Sequence, residues 1–300
     1  MHQSTLDIMM SRFKIPLLLC VGFGLVFSCG KPQNSGTSSE GEYEGDSELS
    51  ITIKGSDTVL PLAEEHGKNF MSLFPEASVK VVGGGSGVGI AALINNTTDI
   101  AMVSRNLNYQ EKNSLALLGK TTERVVVAYD ALAVVLHPKN PVKDLTLKDI
   151  ERIYTGKITN WQELGGPDLQ IVACSRELSS GTYEYFKEIA LHNRAYADHV
   201  LKMPATSAIV ETVASTPGGI GYVGVGYLTD AVVPARIWNR NIEEYVEPTL
   251  QHAQNNMYPI VRPLYLFFLQ EDTGRLKAYI DFVLSEDGQA LVTQVGYVPL

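Results

Sequence analysis

Two long apolar, β-rich runs constrain this chain more than any other feature. They occupy 125–136 and 258–269, and each is about twice the length of a common strand. Around them, strand-like runs alternate with helical periodicity. Strands are expected over 50–54, 78–82 and 99–103, and helices over 60–74, 87–95 and 109–118. Pro61 falls in the first turn of the first helix, where a missing N–H costs nothing. That βαβαβ order predicts an α/β body with mainly parallel sheets and helices on both faces. A second block follows, with helices over 147–154, 181–191 and 208–214 and strands over 169–175, 220–225 and 232–238. The helix expected over 273–284 comes after the second long run. A chain that leaves one lobe, builds another and returns gives this order. The two long runs then form a two-strand hinge, with a ligand cleft between the lobes. The expected bounds are 51–130 plus 264–300 for lobe 1 and 131–263 for lobe 2.

The 300 residues, 45% of them hydrophobic, suffice for a core without disulfide staples. Lys plus Arg number 24 against 33 Asp plus Glu, a net charge of −9. A nucleic-acid binder needs a basic footprint, so nucleic acid is excluded as a partner. A small anion is not, because a local site can oppose the global charge.

The first residues read as an address. Arg12 and Lys14 precede an apolar run over 15–27, which ends at Ser28-Cys29-Gly30. A basic flank, a short apolar run and a small residue make a secretory signal over 1–28, too short for a comfortable membrane span. Val26-Phe27-Ser28-Cys29 resembles a lipoprotein signal-peptidase site, which makes Cys29 the expected lipid attachment. Residues 29–50 should be a flexible acidic tether, with Lys31 against Glu40, Glu42, Glu44, Asp46 and Glu48. A cell-envelope, extracytoplasmic body held to a membrane by lipid is the expectation. With Cys20 inside the signal and Cys29 acylated, Cys174 is left without a disulfide partner and should be a buried structural thiol.

Three loops rich in small residues lie between a strand and a helix. They are Gly55-Ser56-Asp57-Thr58-Val59, Gly83-Gly84-Gly85-Ser86-Gly87-Val88-Gly89 and Arg176-Glu177-Leu178-Ser179-Ser180-Gly181-Thr182. Each should aim free backbone N–H groups and hydroxyls from a helix N-terminus, which carries about half a positive charge. Such ends bind phosphate and similar anions. A fourth strand end adds Ser104 and Arg105. The planar forks of Arg105 and Arg176 suit oxyanions. One such loop is ordinary; several at strand ends of one α/β body mark a ligand crevice. The glycine run lacks the Lys of a phosphate-binding P-loop and does not match a dinucleotide fingerprint.

Together GSDTV–PLA, GGGSGVG, DIAMVSR, RELSSGT, GGIGYVGVGY and YPIVRPLY resemble the phosphate-binding proteins of phosphate ABC transporters, the PstS family. The resemblance runs over 51–300 and implies a two-lobed, type II periplasmic solute-binding fold that closes on one inorganic phosphate. It implies that Thr58 and Val59 supply a hydroxyl and an N–H, that Ser86 supplies a hydroxyl and an N–H, and that Arg176, Ser180, Gly181 and Thr182 form a clamp. Ser56 and Asp57 share the first loop. Some members carry an aspartate after the third strand to accept the proton of phosphate. Here Ser104-Arg105 stands there, so Ser104 and Arg105 are expected on ligand oxygens. Asp57 is expected either as the acceptor or as a helix cap. The implied partners are permease subunits of the transporter and the membrane through its lipid, with the protein a monomer. Binding without turnover is expected, with no cofactor and no metal, since the six histidines are scattered and no nucleophile–base set is visible. The alternatives are a binder of another oxyanion, a sensor or adhesion lipoprotein on the same fold, and a secreted phosphatase using Ser86 or Ser180.

Overall fold

The computed structural model describes residues 49–300. The signal segment with Cys20, the Cys29 lipid site and the tether up to residue 48 lie outside the described residues. The body begins within the last two residues assigned to the tether: Leu49 packs on the core and Ser50 opens the first strand.

The first half runs β1 (Ser50–Gly55), α1 (Leu60–Leu73), β2 (Ser78–Val82), α2 (Ser86–Ile94), β3 (Ile100–Val103), α3 (Tyr109–Leu117) and β4 (Thr122–Leu136). The middle block contains β5 (Asp144–Leu145), α4 (Leu147–Tyr154), β6 (Val172–Arg176), α5 (Gly181–Ile189), β7 (Leu201–Met203), α6 (Thr206–Ser215) and β8 (Gly219–Gly224). It continues through β9 (Val233–Pro234), β10 (Arg236–Asn239), β11 (Glu244–Val246) and α7 (Leu250–Gln254). The chain returns as β12 (Val261–Leu269), α8 (Thr273–Leu284) and α9 (Glu286–Val295).

The large sheet has the order β2-β1-β3-β12-β4-β8-β6-β7, with β9 also on β4. The outer pairs β1–β2, β1–β3, β6–β8 and β6–β7 are parallel, as the βαβ order requires. The centre is not: β12 runs antiparallel to β3 and β4, and β4 antiparallel to β8. The sheet is therefore mixed rather than mainly parallel, because the returning strand inserts between β3 and β4 instead of extending an edge.

Side-chain alternation explains why both long runs are apolar on both faces, apart from Asp130 in one and Arg262 in the other. On β12, Leu264, Leu266 and Phe268 enter one core with Ile51, Ile53, Phe70 and Met102, while Tyr265, Phe267 and Leu269 enter another with Ile90 and Leu93. On β4, Leu132, Val134 and Leu136 face Trp161, Phe186 and Tyr222, while Ala133 and Val135 face Cys174, Ile209 and Val213. A strand covered on both faces has no polar side to show. Cys174 is fully buried, as expected, and burial pushes its thiol up to about 11. The pairing of β4 with β12 shifts register at Leu264/Tyr265, which leaves Val127 without a direct partner, as at a β-bulge. The expected strand over 232–238 is split at Ala235 into β9 and β10, which join different sheets. Helix α9 and the three-residue edge strand β7 were not expected.

Candidate functional site

Each of the three loops leads from a strand into a helix, and two of the helix ends meet. Ser180 caps α5, accepting from the Thr182 and Tyr183 amides at 3.2 and 3.4 Å, which leaves its own proton to donate. Ser86 is the first residue of α2 and is fully buried. Its Oγ accepts from the Ser104 N–H at 3.1 Å and lies 3.3 Å from the Ser104 Oγ at the end of β3. Gly181 packs on this pair so closely that a Cβ there would collide with the Ser86 Oγ and come within 2.8 Å of the Ser104 Oγ. Beside them, the Thr58 Oγ1 lies 2.9 Å from the Thr182 Oγ1. Hydroxyls from four separate elements thus converge between the halves.

The glycine loop reaches across in the same place. The Gly87 N–H donates to the Ser179 carbonyl at 2.9 Å. Gly85 holds φ at +96°, and a Cβ on it would stand 2.7 Å from that same carbonyl. Only glycine allows both the left-handed turn and the approach.

The first loop is fixed by tyrosines. The Tyr227 hydroxyl donates to the Asp57 carbonyl and the Tyr297 hydroxyl to the Thr58 carbonyl, both at 2.5 Å. Burial pushes both phenols up, so they remain donors. The Val59 N–H, expected to serve the ligand, instead donates to the Ser56 carbonyl at 3.0 Å and closes the turn into α1. Ser56 is buried in that turn, its N–H on the Met102 carbonyl at 2.8 Å.

Asp57 does not cap α1; that helix has no side-chain cap. Its carboxylate instead accepts from the Gly84 N–H at 3.0 Å and pairs with the Arg176 guanidinium. Arg176 differs from the expected clamp for the same reason. Its other donors go to the Met203 carbonyl at 3.3 Å, the Thr206 hydroxyl at 2.7 Å and the Pro204 carbonyl at 2.9 Å. Four of its five N–H groups are spent on protein atoms. Among the described residues, Arg105 likewise makes no hydrogen bond to the converging hydroxyls. Glu111 takes it in a bidentate pair at 2.7 and 2.8 Å, and Glu184 of α5 pairs with its Nε. Both arginines tie protein segments together through these carboxylates.

The cation at the cluster is one the loops did not signal. Arg262 of β12 is buried, and its Nη2 donates to the Thr58 Oγ1 at 3.2 Å and to the Thr182 Oγ1 at 3.1 Å. Its Nη1 donates to the Ser104 carbonyl at 3.3 Å. Asp130 of β4, in direct register with it, holds it through Nε at 3.0 Å and Nη2 at 2.9 Å. The Tyr185 ring lies 5.4 Å from its guanidinium carbon. Burial pushes the Asp130 carboxyl above its ordinary value, against the pull of Arg262 and the Val225 N–H. Because Arg262 donates to both threonine oxygens, the hydroxyl protons must point elsewhere. A signal for this pair existed: Asp130 and Arg262 are the one charged residue in each long apolar run.

Chemically, the arrangement offers several hydroxyl donors, a helix N-terminus and one guanidinium already balanced by a carboxylate. Among the described residues, no group of three or more His, Cys, Asp or Glu is placed to hold a metal ion.

A domain model of the PBP superfamily matches residues 32–287. The phosphate-binding protein PstS of Bacillus subtilis (strain 168) is 30% identical over 293 residues, covering 97% of this chain and 94% of that protein. Among solved structures, a Clostridium perfringens chain assigned as a phosphate ABC transporter substrate-binding protein, with bound phosphate, is 35% identical. It superposes with a TM-score of 0.76 over 84% of this chain and 99% of its own. An ABC-type phosphate transport receptor from Vibrio cholerae is 29% identical, with a TM-score of 0.68 over 83% of this chain and 100% of its own.

Proposed function

Because the chain belongs to the PstS family of phosphate-binding proteins, we propose that it binds inorganic phosphate between its halves and delivers it to the permease subunits of an ABC transporter. It is a receptor, not an enzyme, and works outside the cytoplasm. In this reading a lipid on Cys29 holds it to the membrane, with residues 29–48 as the tether. The lobes are 51–130 plus 264–300 and 131–263, a division supported by the separate cores on either side of Asp130 and Arg262.

The observation that carries the reading is the convergence of Thr58, Ser86, Ser104 and Thr182 hydroxyls on the α5 N-terminus, with Arg262 directing two of them. The phosphate ligands are then Thr58, Ser86, Ser104, Ser180, Gly181, Thr182 and Arg262. Neutral donors give each oxygen a fixed direction, and hydrogen bonds to a charged acceptor are about twice as strong as neutral ones. Closing the halves lowers the local dielectric and strengthens them further. Asp57, Arg176 and Arg105 hold the halves together around the ligand rather than touching it. Ser104 is the acceptor for the phosphate proton, since both Asp57 oxygens are already bonded.

Calorimetry against phosphate, arsenate, sulfate and molybdate tests this. The expected result is phosphate binding at about micromolar Kd or tighter, with sulfate weaker by about 100-fold or more. Equal affinity for sulfate, or no phosphate binding, removes the assignment and favours another oxyanion.

A further inference from the structure

Away from the hydroxyl cluster, α4, the segment after α5 and β10 border a groove of about 890 Å³. Five cations line it: Lys148, Arg152, Lys157, Arg194 and Arg240. Its one carboxylate, Glu151, is committed to Arg194. Among the described residues, Lys148, Arg152, Lys157 and Arg240 have no ion-pair partner within 4.0 Å. In a chain of net charge −9, that local excess runs against the global balance. Folding does not account for it. Arg152 sits in the last turn of α4, where a cation suits the helix dipole. Lys148 sits in the first turn of the same helix, where a cation opposes it. Lys157 and Arg240 belong to no helix, and unpaired like charges sharing one groove repel each other. Trp238, half-buried and packed edge-on against Tyr245 at 5.0 Å, forms part of the wall.

We infer that this groove is a second anion site, separate from the one described above, and that it takes a polyphosphorylated small molecule of nucleotide size. The volume lies in the range of small-ligand sites. Several cations spread along it fit a chain of phosphates rather than one orthophosphate. The indole offers a face for a heterocycle next to Arg240, its neighbour but one on the chain. Charge neutralised by the ligand removes the repulsion that the free groove carries.

The chain has two tryptophans, and Trp161 is fully buried with its indole N–H on the Gly218 carbonyl at 3.0 Å. A fluorescence change on adding a groove ligand therefore reports Trp238. The full chain is titrated with ATP, with inorganic tripolyphosphate, with orthophosphate, and with phosphatidylglycerol vesicles. ATP and tripolyphosphate should bind saturably at one site per chain, and both should weaken by about tenfold or more when salt is raised to several times the physiological level. A larger fluorescence change with ATP places the heterocycle on Trp238; equal changes place the phosphate chain alone in the groove, and both outcomes support the site. Arg152→Glu with Arg240→Glu should abolish both while calorimetric orthophosphate binding at the hydroxyl cluster stays within about twofold. No response to either soluble probe at about 1 mM, or an unchanged response in that double variant, overturns the inference. Binding to the vesicles but to neither soluble probe also overturns it, and makes the surface a membrane-facing one. Loss of orthophosphate binding in the wild-type chain would count against the proposed function and leave this groove untouched.

Discussion

The two proposed anion sites, the hydroxyl cluster and the outer groove, treat positive charge in opposite ways. Around the cluster, three guanidiniums (Arg105, Arg176 and Arg262) are matched by four carboxylates (Glu111, Glu184, Asp57 and Asp130). In the groove, four of five cations have no ion-pair partner among the described residues. The first arrangement gives up long-range attraction and keeps donor geometry. The second keeps the field and gives up geometry. An anion that must be told from its near twin calls for the first; a polyanion that only has to be held calls for the second.

The contrast can be broken at Arg262. Arg262→Met leaves Asp130 buried and unpaired, which should cost about 3–5 kcal/mol in urea unfolding and abolish measurable phosphate binding. Combining it with Asp130→Leu should return most of the stability without the binding. If the double variant still binds phosphate, Arg262 serves the fold alone. Gly181→Ala comes next. Its methyl would enter the space of the Ser86 hydroxyl, and overpacking of about 1–3 kcal/mol predicts about a 5- to 150-fold weaker phosphate Kd by calorimetry. Thermal melting should show the fold retained. Asp57→Asn cuts the charge on one tie between halves. About tenfold weaker phosphate binding is expected, with the phosphate-to-sulfate ratio unchanged; a collapsed ratio would move the acceptor role from Ser104 to Asp57. The smallest effect is that of salt on the cluster. From low to several times physiological salt, phosphate affinity there should change by less than about threefold, because its charges are buried and already paired.

Much of the cluster was legible because its parts are local. A strand, a glycine or serine turn and a helix start leave a mark within a few residues, and Thr58, Ser86, Ser180, Gly181 and Thr182 all carry it. The arginines were not legible in the same way. Arg105 and Arg176 stand at strand ends, but what neutralises them comes from elsewhere in the chain. Glu111 could have been foreseen, since it completes a capping box with Asn108; Glu184 and Asp57 could not, because they arrive from the facing half. Arg262 was hidden for the converse reason: it lies inside a strand, where a turn motif has nothing to mark. The antiparallel return of β12 escaped for a related reason, since periodicity reports what a strand buries and not which neighbour it pairs with. Helix α9 escaped on local propensity. Its Gly288 is a poor helix residue, kept where a side chain would strike the Phe282 and Val283 carbonyls.

The insertion of β12 between β3 and β4 also sets an order of events. Residues 261–269 pair with residues on both β3 and β4. As the chain is made from its N-terminus, the first half exists for most of synthesis with two apolar strand edges open and no strand to fill the gap between them. Those edges are templates for pairing with other chains, and contacts this distant in sequence form slowly. Native structure in the first half therefore waits on the last forty or so residues, and a chain truncated before β12 should aggregate rather than yield one folded half.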